Sequence, residues 1–347
     1  MENSILERIK TQLDYLKSNR NNLVIDADTH ITDVENLPAV LQEKYRSAKN
    51  YYHGRPISAG DLIAEMKMAG VDMSLVWQNP SSTVYEKDRK NNFLRLREAN
   101  RYIAAMSGKY PDKLIPAGWT DPKALGPDYA VELTEYCILE LGFPVVKMNP
   151  AQNAYQIDSK EVRSVVNKIR DLNAMVAFHY GADTPYTPVE GLERIAKEYP
   201  STRIIGVHMG GGGAGYLEAE ELYNKTREMG LRLKNLFFVQ SAKRDTHIES
   251  DFITYTLAGE PHNRQIACAS DAPYGRQTWN FGGYRLMFAS LATTENHPDA
   301  RVRHNQELFN TDMIKNYMGR NFADLMIEGY ENLLNYLENT KRLTSGT

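Results

Sequence analysis

The chain has 347 residues, 42% of them hydrophobic and 24% charged, enough apolar side chain to bury a sizeable core in one large α/β barrel or two ordinary domains. Its 44 acidic residues against 41 basic ones give a formal net charge of -3, and their mixing leaves no field that would gather nucleic acid or a membrane surface. A small molecule is the expected partner. The two cysteines, Cys137 and Cys268, sit in apolar stretches without paired-ligand spacing and are expected as buried thiols in a reducing compartment. The charged residues Glu2, Glu7, Arg8, Lys10 and Asp14 interrupt the first segment, and no run reaches transmembrane length, so the expected location is cytoplasmic.

In chain order, Ile5, Leu6, Ile9, Leu13 and Leu16 recur at helical spacing, so residues 1–20 are expected to form a leading helix with a narrow apolar stripe. That stripe needs cover, from the body of the chain or from a partner in a homodimer or higher homo-oligomer. After Arg20-Asn21-Asn22, short β-rich runs alternate with longer amphipathic segments, the pattern of parallel βα units. Strands are expected at 23–27, 73–78, 114–119, 145–148, 175–179, 203–208, 236–240 and 265–270. Helices are expected at 59–69, 91–110, 129–141, 160–172, 189–199 and 218–233, then at 284–292 and 312–328 after the last strand. Eight such repeats argue for a closed (β/α)8 barrel occupying residues 21–340 as one domain, with long loops at 31–58 and 273–310 on the active face. An open doubly wound sheet would require a glycine-rich phosphate turn after the first strand, where Asp28-Thr29-His30 stands instead.

Catalytic groups of such barrels lie at the C-terminal ends of strands. Here the first strand ends at Asp28 and His30, the fifth at His179, the sixth at His208 and the eighth at Asp271. Asp28 and His30 are two apart, so a regular strand directs both to the same face. Each residue alone has an ordinary explanation: Asp28 and Asp271 as caps, His179 as a core histidine. Together Asp28, His30, His179 and Asp271 make a mixed nitrogen and oxygen set that suits one divalent cation, zinc or alternatively manganese, with positions left for water and substrate.

The order and spacing of several segments resemble the amidohydrolase superfamily, in the branch (amidohydrolase family 2) that includes aminocarboxymuconate-semialdehyde decarboxylase. They are Ile25-Asp26-Ala27-Asp28-Thr29-His30, Met66 to Asp72, Gly142 to Pro150, Val207-His208-Met209-Gly210-Gly211, Ala269 to Gly275 and Met318-Gly319-Arg320-Asn321. The resemblance implies an amidohydrolase-type TIM barrel and a resident metal. Many members carry His-x-His on the first strand; Asp28-x-His30 resembles those with a carboxylate first, a more anionic site. It also implies that His208 acts catalytically from outside the metal shell, and that Lys147, carbamylated between two metals in other branches, accompanies one metal here.

The function expected first is hydrolysis of a C–N or C–O bond, in an amide or lactone of a small carboxylated substrate. In it Asp271 accepts a proton from the metal-activated water and His208 assists. The alternative is a non-oxidative decarboxylase of a small unsaturated or aromatic acid, served by the same residues. Dihydroxybenzoate decarboxylases of this branch carry an acidic residue three positions after the sixth-strand histidine, where this chain has Gly211. Candidate substrate contacts are Arg89, Lys147, Arg244 and Arg276 for a carboxylate, and Trp77, Tyr180, Trp119 and Tyr274 for a ring. The run Gly210 to Gly213 lacks the Lys-Ser or Lys-Thr of a phosphate loop and is expected to bring backbone amides close to substrate.

Overall fold

A computed structural model describes residues 2–47, 54–212, 220–293, 295 and 297–345. Its strands come from runs apolar on both faces, as expected of parallel strands covered by helices outside and packed side chains within. They are β1 (Ile25–Ile31), β2 (Met73–Gln78), β3 (Leu114–Pro116), β4 (Gly118–Trp119), β5 (Val145–Met148), β6 (Met175–His179), β7 (Ile204–Val207), β8 (Leu236–Gln240) and β9 (Ile266–Cys268). Every residue in all nine is buried. Each pairs in parallel with its neighbour in sequence, except across the gap between β3 and β4.

The expected third strand, 114–119, is therefore two pieces. Pro116 has no amide hydrogen to continue a ladder, so β3 pairs with β2 and β4 with β5, while the Ala117 amide still reaches the Val76 carbonyl at 3.1 Å. Taken as one strand they complete eight. The ring closes where Thr29 bridges Ala272, the His30 amide donates to the Ala272 carbonyl at 2.7 Å, and the Asp271 amide donates to the Asp28 carbonyl at 2.9 Å. The fold is a closed (β/α)8 TIM barrel.

The helix Ala59–Ala69 forms where expected, with Ser58 and Asp61 making a reciprocal capping box and Gly70 closing it in the left-handed region. Others differ at their ends. The segment expected at 129–141 is an α-helix over Pro127–Glu135 followed by a wider π turn, Tyr136–Glu140, and 312–328 divides into Thr311–Lys315, a π turn at Asn316–Arg320 and a long helix, Asn321–Ser345. The expected helix 218–233 is described as Glu220–Arg232, with 218 and 219 outside the described residues. Within the expected loop 31–58 lies the helix Ala39–Ser47, and 48–53 fall outside the described residues. The loop 273–310 is largely helical: Gln277–Thr293 starts seven positions before the expected 284, and 294 and 296 are not described. A helix over Asp245–Ala258 was not anticipated.

The leading helix, Glu2–Asn19, covers its stripe on its own chain. Ile9, Leu13 and Leu16 are buried in the common core, and Lys10, Lys17 and Arg20 pair with Glu338, Glu331 and Asp324 of the last helix at 3.3, 2.7 and 3.0 Å. Ile5 and Ile9 lie over Gly142, in the loop that enters β5, at the end of the barrel opposite the strand-end histidines. No helix among the described residues is long and apolar enough to cross a membrane.

Candidate active site

β1 delivers Asp28 and His30 to the closing seam, and the residue after Ser270 turns back to meet them. Asp271 takes φ +59, a left-handed conformation that aspartate tolerates better than most residues. Its amide is bound to β1. One ligating atom each from Asp28, His30 and Asp271 lies within 4.8 Å of the others, His30 Nε2 being 3.9 Å from Asp28 Oδ1 and 3.4 Å from Asp271 Oδ1.

His30 Nδ1 is 2.8 Å from the Gln78 carbonyl oxygen, which only accepts, so Nδ1 carries the hydrogen and a neutral ring leaves Nε2 bare. A bare nitrogen facing two carboxylate oxygens is repulsive unless a positive charge sits between them. The donor set therefore fits a cation.

Asp28 is fully buried. Trp77 Nε1 and Lys147 Nζ both donate to its Oδ1 at 2.8 Å, and the Lys147 ammonium lies 4.8 Å from the Trp77 ring centroid and 5.6 Å from that of Trp119. Burial alone would raise the Asp28 carboxyl, but the charge of Lys147, aided by His208 and His30, holds it well below the usual carboxylate range. Asp28 is thus a fixed anion.

The two remaining histidines form a chain leading to it. His179 Nδ1 is 3.2 Å from His208 Nε2, His208 Nδ1 is 2.7 Å from Ser241 Oγ, and Ser241 Oγ donates to Asp28 Oδ2 at 3.4 Å. Since Asp28 is an acceptor, every hydrogen in the chain points its way, leaving His179 Nε2 bare. That atom is buried with no hydrogen-bond partner among the described residues. His179 stands outside the three-residue group but lines the same cleft. Burial lowers both rings, for His179 reinforced by the charges of His208 and Lys147 and for His208 opposed by Asp271 and Asp28, so both are neutral near pH 7.

The cleft is lined by His30, His179, Asp271, Lys147, Trp119, Tyr274, Pro80, Asn149 and Gln152, with a free volume of about 10 Å³, room for an ion or about one water. Tyr274 meets the His30 ring edge-on at 5.7 Å and is tied to Ser81 and Asn79.

The other expected substrate contacts lie elsewhere. Lys147 is committed to Asp28, as is Trp77. Tyr180 follows His179 and so faces away from the barrel interior, its hydroxyl on Thr226 at 3.0 Å. Arg89, exposed in the first turn of Arg89–Lys109, borders a separate cavity with Tyr155 and Ser159. Arg244 is exposed ahead of the helix Asp245–Ala258. Arg276 sits 3.5 Å from Glu65 and over the Trp279 ring.

The glycine run behaves differently from expectation. The amides of Gly210, Gly211 and Gly212 donate to the carbonyls of Tyr180, His208 and Ala242, so none is free for substrate; Gly213 lies outside the described residues. Gly212, at φ +77, permits close packing instead: a β-carbon there would stand 3.0 Å from the His208 ring and 3.4 Å from His179 Nε2. Sequence reading missed Ser241, whose signal was its place directly after the seventh expected strand, and Asn149 and Gln152, which flank Pro150.

The amidohydrolase family profile matches residues 25–290. Among solved structures, the chain is similar to 5-carboxyvanillate decarboxylase LigW from Sphingomonas paucimobilis, at 15% identity over 82% of this chain and 97% of that one, with a TM-score of 0.56. It is similar also to 2,6-dihydroxybenzoate decarboxylase from Rhizobium, at 16% identity over 83% and 98%, with a TM-score of 0.57. A third is 5-carboxyvanillate decarboxylase from Novosphingobium aromaticivorans, complexed with manganese and 4-hydroxy-3-methoxy-5-nitrobenzoic acid, at 15% identity over 85% and 96%, with a TM-score of 0.58. Identities this low establish the barrel. The expectation of a hydrolase cleaving a C–N or C–O bond is corrected here, because these neighbours are decarboxylases.

Proposed function

Since the chain belongs to the amidohydrolase family, whose profile spans residues 25–290, we propose that it is a metal-dependent, non-oxidative decarboxylase of a small unsaturated or aromatic carboxylic acid. The observation that carries this reading is the group Asp28, His30 and Asp271, with ligating atoms within 4.8 Å at the mouth of the barrel. The decarboxylases on the same fold, one of them complexed with manganese, support it. Asp28, His30 and Asp271 would hold the cation, with His179 Nε2 facing the same cleft. Two carboxylates in a set of three or four donors suit manganese, with zinc as the alternative. When bound, the cation would fix the substrate's carboxylate or a neighbouring oxygen and neutralise its charge.

The chain's own residues then divide the work. Asp28, pinned as an anion by Lys147 and Trp77, keeps its place and moves no proton. Asp271, with its side chain 15% exposed where that of Asp28 is fully covered, is the carboxyl that reaches substrate and transfers a proton to the carbon bearing the carboxylate. The C–C bond then breaks, its electron pair returns to the unsaturated system, carbon dioxide leaves, and water reprotonates Asp271. His208 keeps the His179 ring in place throughout. Trp119 and Tyr274 line the cleft beside the ligating atoms.

The test is turnover in D2O of the manganese-loaded protein with 2,6-dihydroxybenzoate, 5-carboxyvanillate and non-aromatic unsaturated acids. Release of carbon dioxide with one deuterium on the vacated carbon is expected for at least one acid. Hydrolysis of lactones or amides with no carbon dioxide from any acid would overturn the reading.

A further inference from the structure

The helix Gln277–Thr293 is apolar on two opposite sides. Its inner face, with Phe281, Tyr284, Phe288 and Leu291, is buried. On the other side, about half a turn round, Trp279 and Leu286 are 71% and 76% exposed, with Gly282 and Gly283 between them. A helix buried on one side ordinarily turns charged residues to water on the other, as Val189–Glu198 does with five charges in ten residues. Gln277–Thr293 has a single charge in 17 residues, Arg285, and its two terminal nitrogens donate to the carbonyls of Ala69 and Gly70 at 2.8 Å each. That link draws in the end of the neighbouring helix Ala59–Ala69, where Met68 is 67% exposed. Arg276, 3.5 Å from Glu65 of the same helix, lies 5.2 Å from the Trp279 ring centroid. An apolar patch thus runs across two adjacent helices, uncovered among the described residues.

The two glycines serve no contact within the chain. In the middle of a helix they cost stability relative to alanine, yet a β-carbon at either would meet nothing within 4 Å. What glycine permits at such a place is the close approach of another backbone. Trp279 stands about one turn before the pair and Leu286 about one turn after it. The pattern of large, small, small, large reads the same in both directions. A two-fold axis through the glycines therefore lays two copies of the helix antiparallel, with Trp279 of each against Leu286 of the other.

We propose that this face is a homodimer interface, built on Trp279, Gly282, Gly283 and Leu286, with Met68 at its edge. Charge agrees with that occupant. A two-fold contact sets a patch upon itself, so charges on it would meet their like; the one charge of this helix is spent on carbonyls of its own chain. A membrane surface fits less well, because helices that lie on one are rich in Lys and Arg along their polar face. The two helices, 17 and 11 residues long, offer a footprint of about 400 Å² per copy at a width of about 10 Å each. Two copies cover about 800 Å² before the relief of the large side chains is added, which places the pair among weak, concentration-dependent dimers.

The experiment is sedimentation velocity of the full chain from about 1 to about 100 µM, the range in which weak pairs form and dissociate. The wild-type protein should pass from one chain mass to two. Leu286→Lys and Gly283→Leu should each weaken association by about tenfold or more. Neither should lower the thermal unfolding midpoint of the monomer, because the first lies on an exposed surface and the second fills open space and favours the helix. The register has its own test. Trp279→Glu and Leu286→Lys should each be monomeric alone, but mixed they place Glu against Lys at one contact and Trp against Leu at the other, so the mixture should dimerise. A wild-type chain monomeric at the highest concentration, a dimer that survives both Gly283→Leu and Leu286→Lys, or a mixture no more associated than its components would each overturn the proposal. So would a monomer that binds phosphatidylcholine vesicles and loses them with Leu286→Lys, which would assign the face to lipid.

Discussion

Two carboxylates meet at one seam, and their neighbours give them different work. Asp28 receives Trp77 Nε1 and Lys147 Nζ on a single oxygen, so it is locked as an anion; the Asp271 side chain is left partly open to the cleft. Replacing Asp271 by Asn keeps the size and removes the transferable proton, so turnover should fall by about 10²–10⁴-fold while the fold persists. Steady-state rates and circular dichroism measured together check this, and near-wild-type turnover would remove Asp271 from the role of acid. Ser241 acts at one remove, passing the pull of Asp28 through His208 to His179. With Ser241→Ala, His208 Nδ1 loses its acceptor and the His179 tautomer is no longer dictated. Metal affinity should then drop by about 10–100-fold, as outer partners of ligands commonly cost. Competition against a chelator measures the affinity, and ¹⁵N chemical shifts of the His179 ring report the tautomer; neither would move if Ser241 only packed.

At the scale of elements, Asp121 shows how a single cap carries pH dependence. It accepts from the amides of Lys123 and Ala124 at the start of the helix Pro122–Leu125, and burial raises its carboxyl from 3.8 to about 6 against those hydrogen bonds and that of Asn153. A raised value means that the group's contribution to stability is fully present below about pH 4 and is lost as pH rises through about 6. Asp121→Asn, which can still cap, removes that dependence. Between pH 4 and 7 its stability relative to wild type should climb by about 3 kcal/mol, at about 1.4 kcal/mol for each tenfold change in proton affinity. Urea unfolding at both pH values decides, and a constant difference would refute it. The elements also differ in how far they could be foreseen. Strands buried on both faces, such as Val145–Met148 and Met175–His179, announce themselves as apolar runs, and Asp28, His30, His208 and Asp271 were visible because ionisable residues ended such runs. Asp245–Ala258 was not, because its buried face, His247, Ile248, Asp251, Phe252, Ile253, Tyr255 and Thr256, mixes polar with apolar residues and so shows no apolar stripe. Asp251 anchors Lys243 and Arg227 within the fold. Ser241 and the Lys147 pairing depend on residues 213 and 119 positions away in sequence, a separation that no local pattern reports.

For the molecule as a whole, the leading helix is held to the outside of the barrel by an apolar stripe and a row of ion pairs. The ion pairs are half exposed and contribute little; the stripe carries the attachment. Leu16→Ala, at a fully buried position, should cost about 2–5 kcal/mol in urea unfolding and leave metal content at the far end unchanged. A cost under about 1 kcal/mol would mean that the helix is detached in solution. The seam at the other end has a consequence for synthesis. The groups that close the ring, Asp28 and His30 near the start and Asp271 and Ala272 much later, are joined by the same backbone bonds that place the ligating atoms. A chain growing on the ribosome exposes β1 long before its partner exists, so the proposed cation site is complete only after some 270 residues have emerged. Completion of the site then coincides with closure, and any product that stops short of β9 lacks Asp271 from the group.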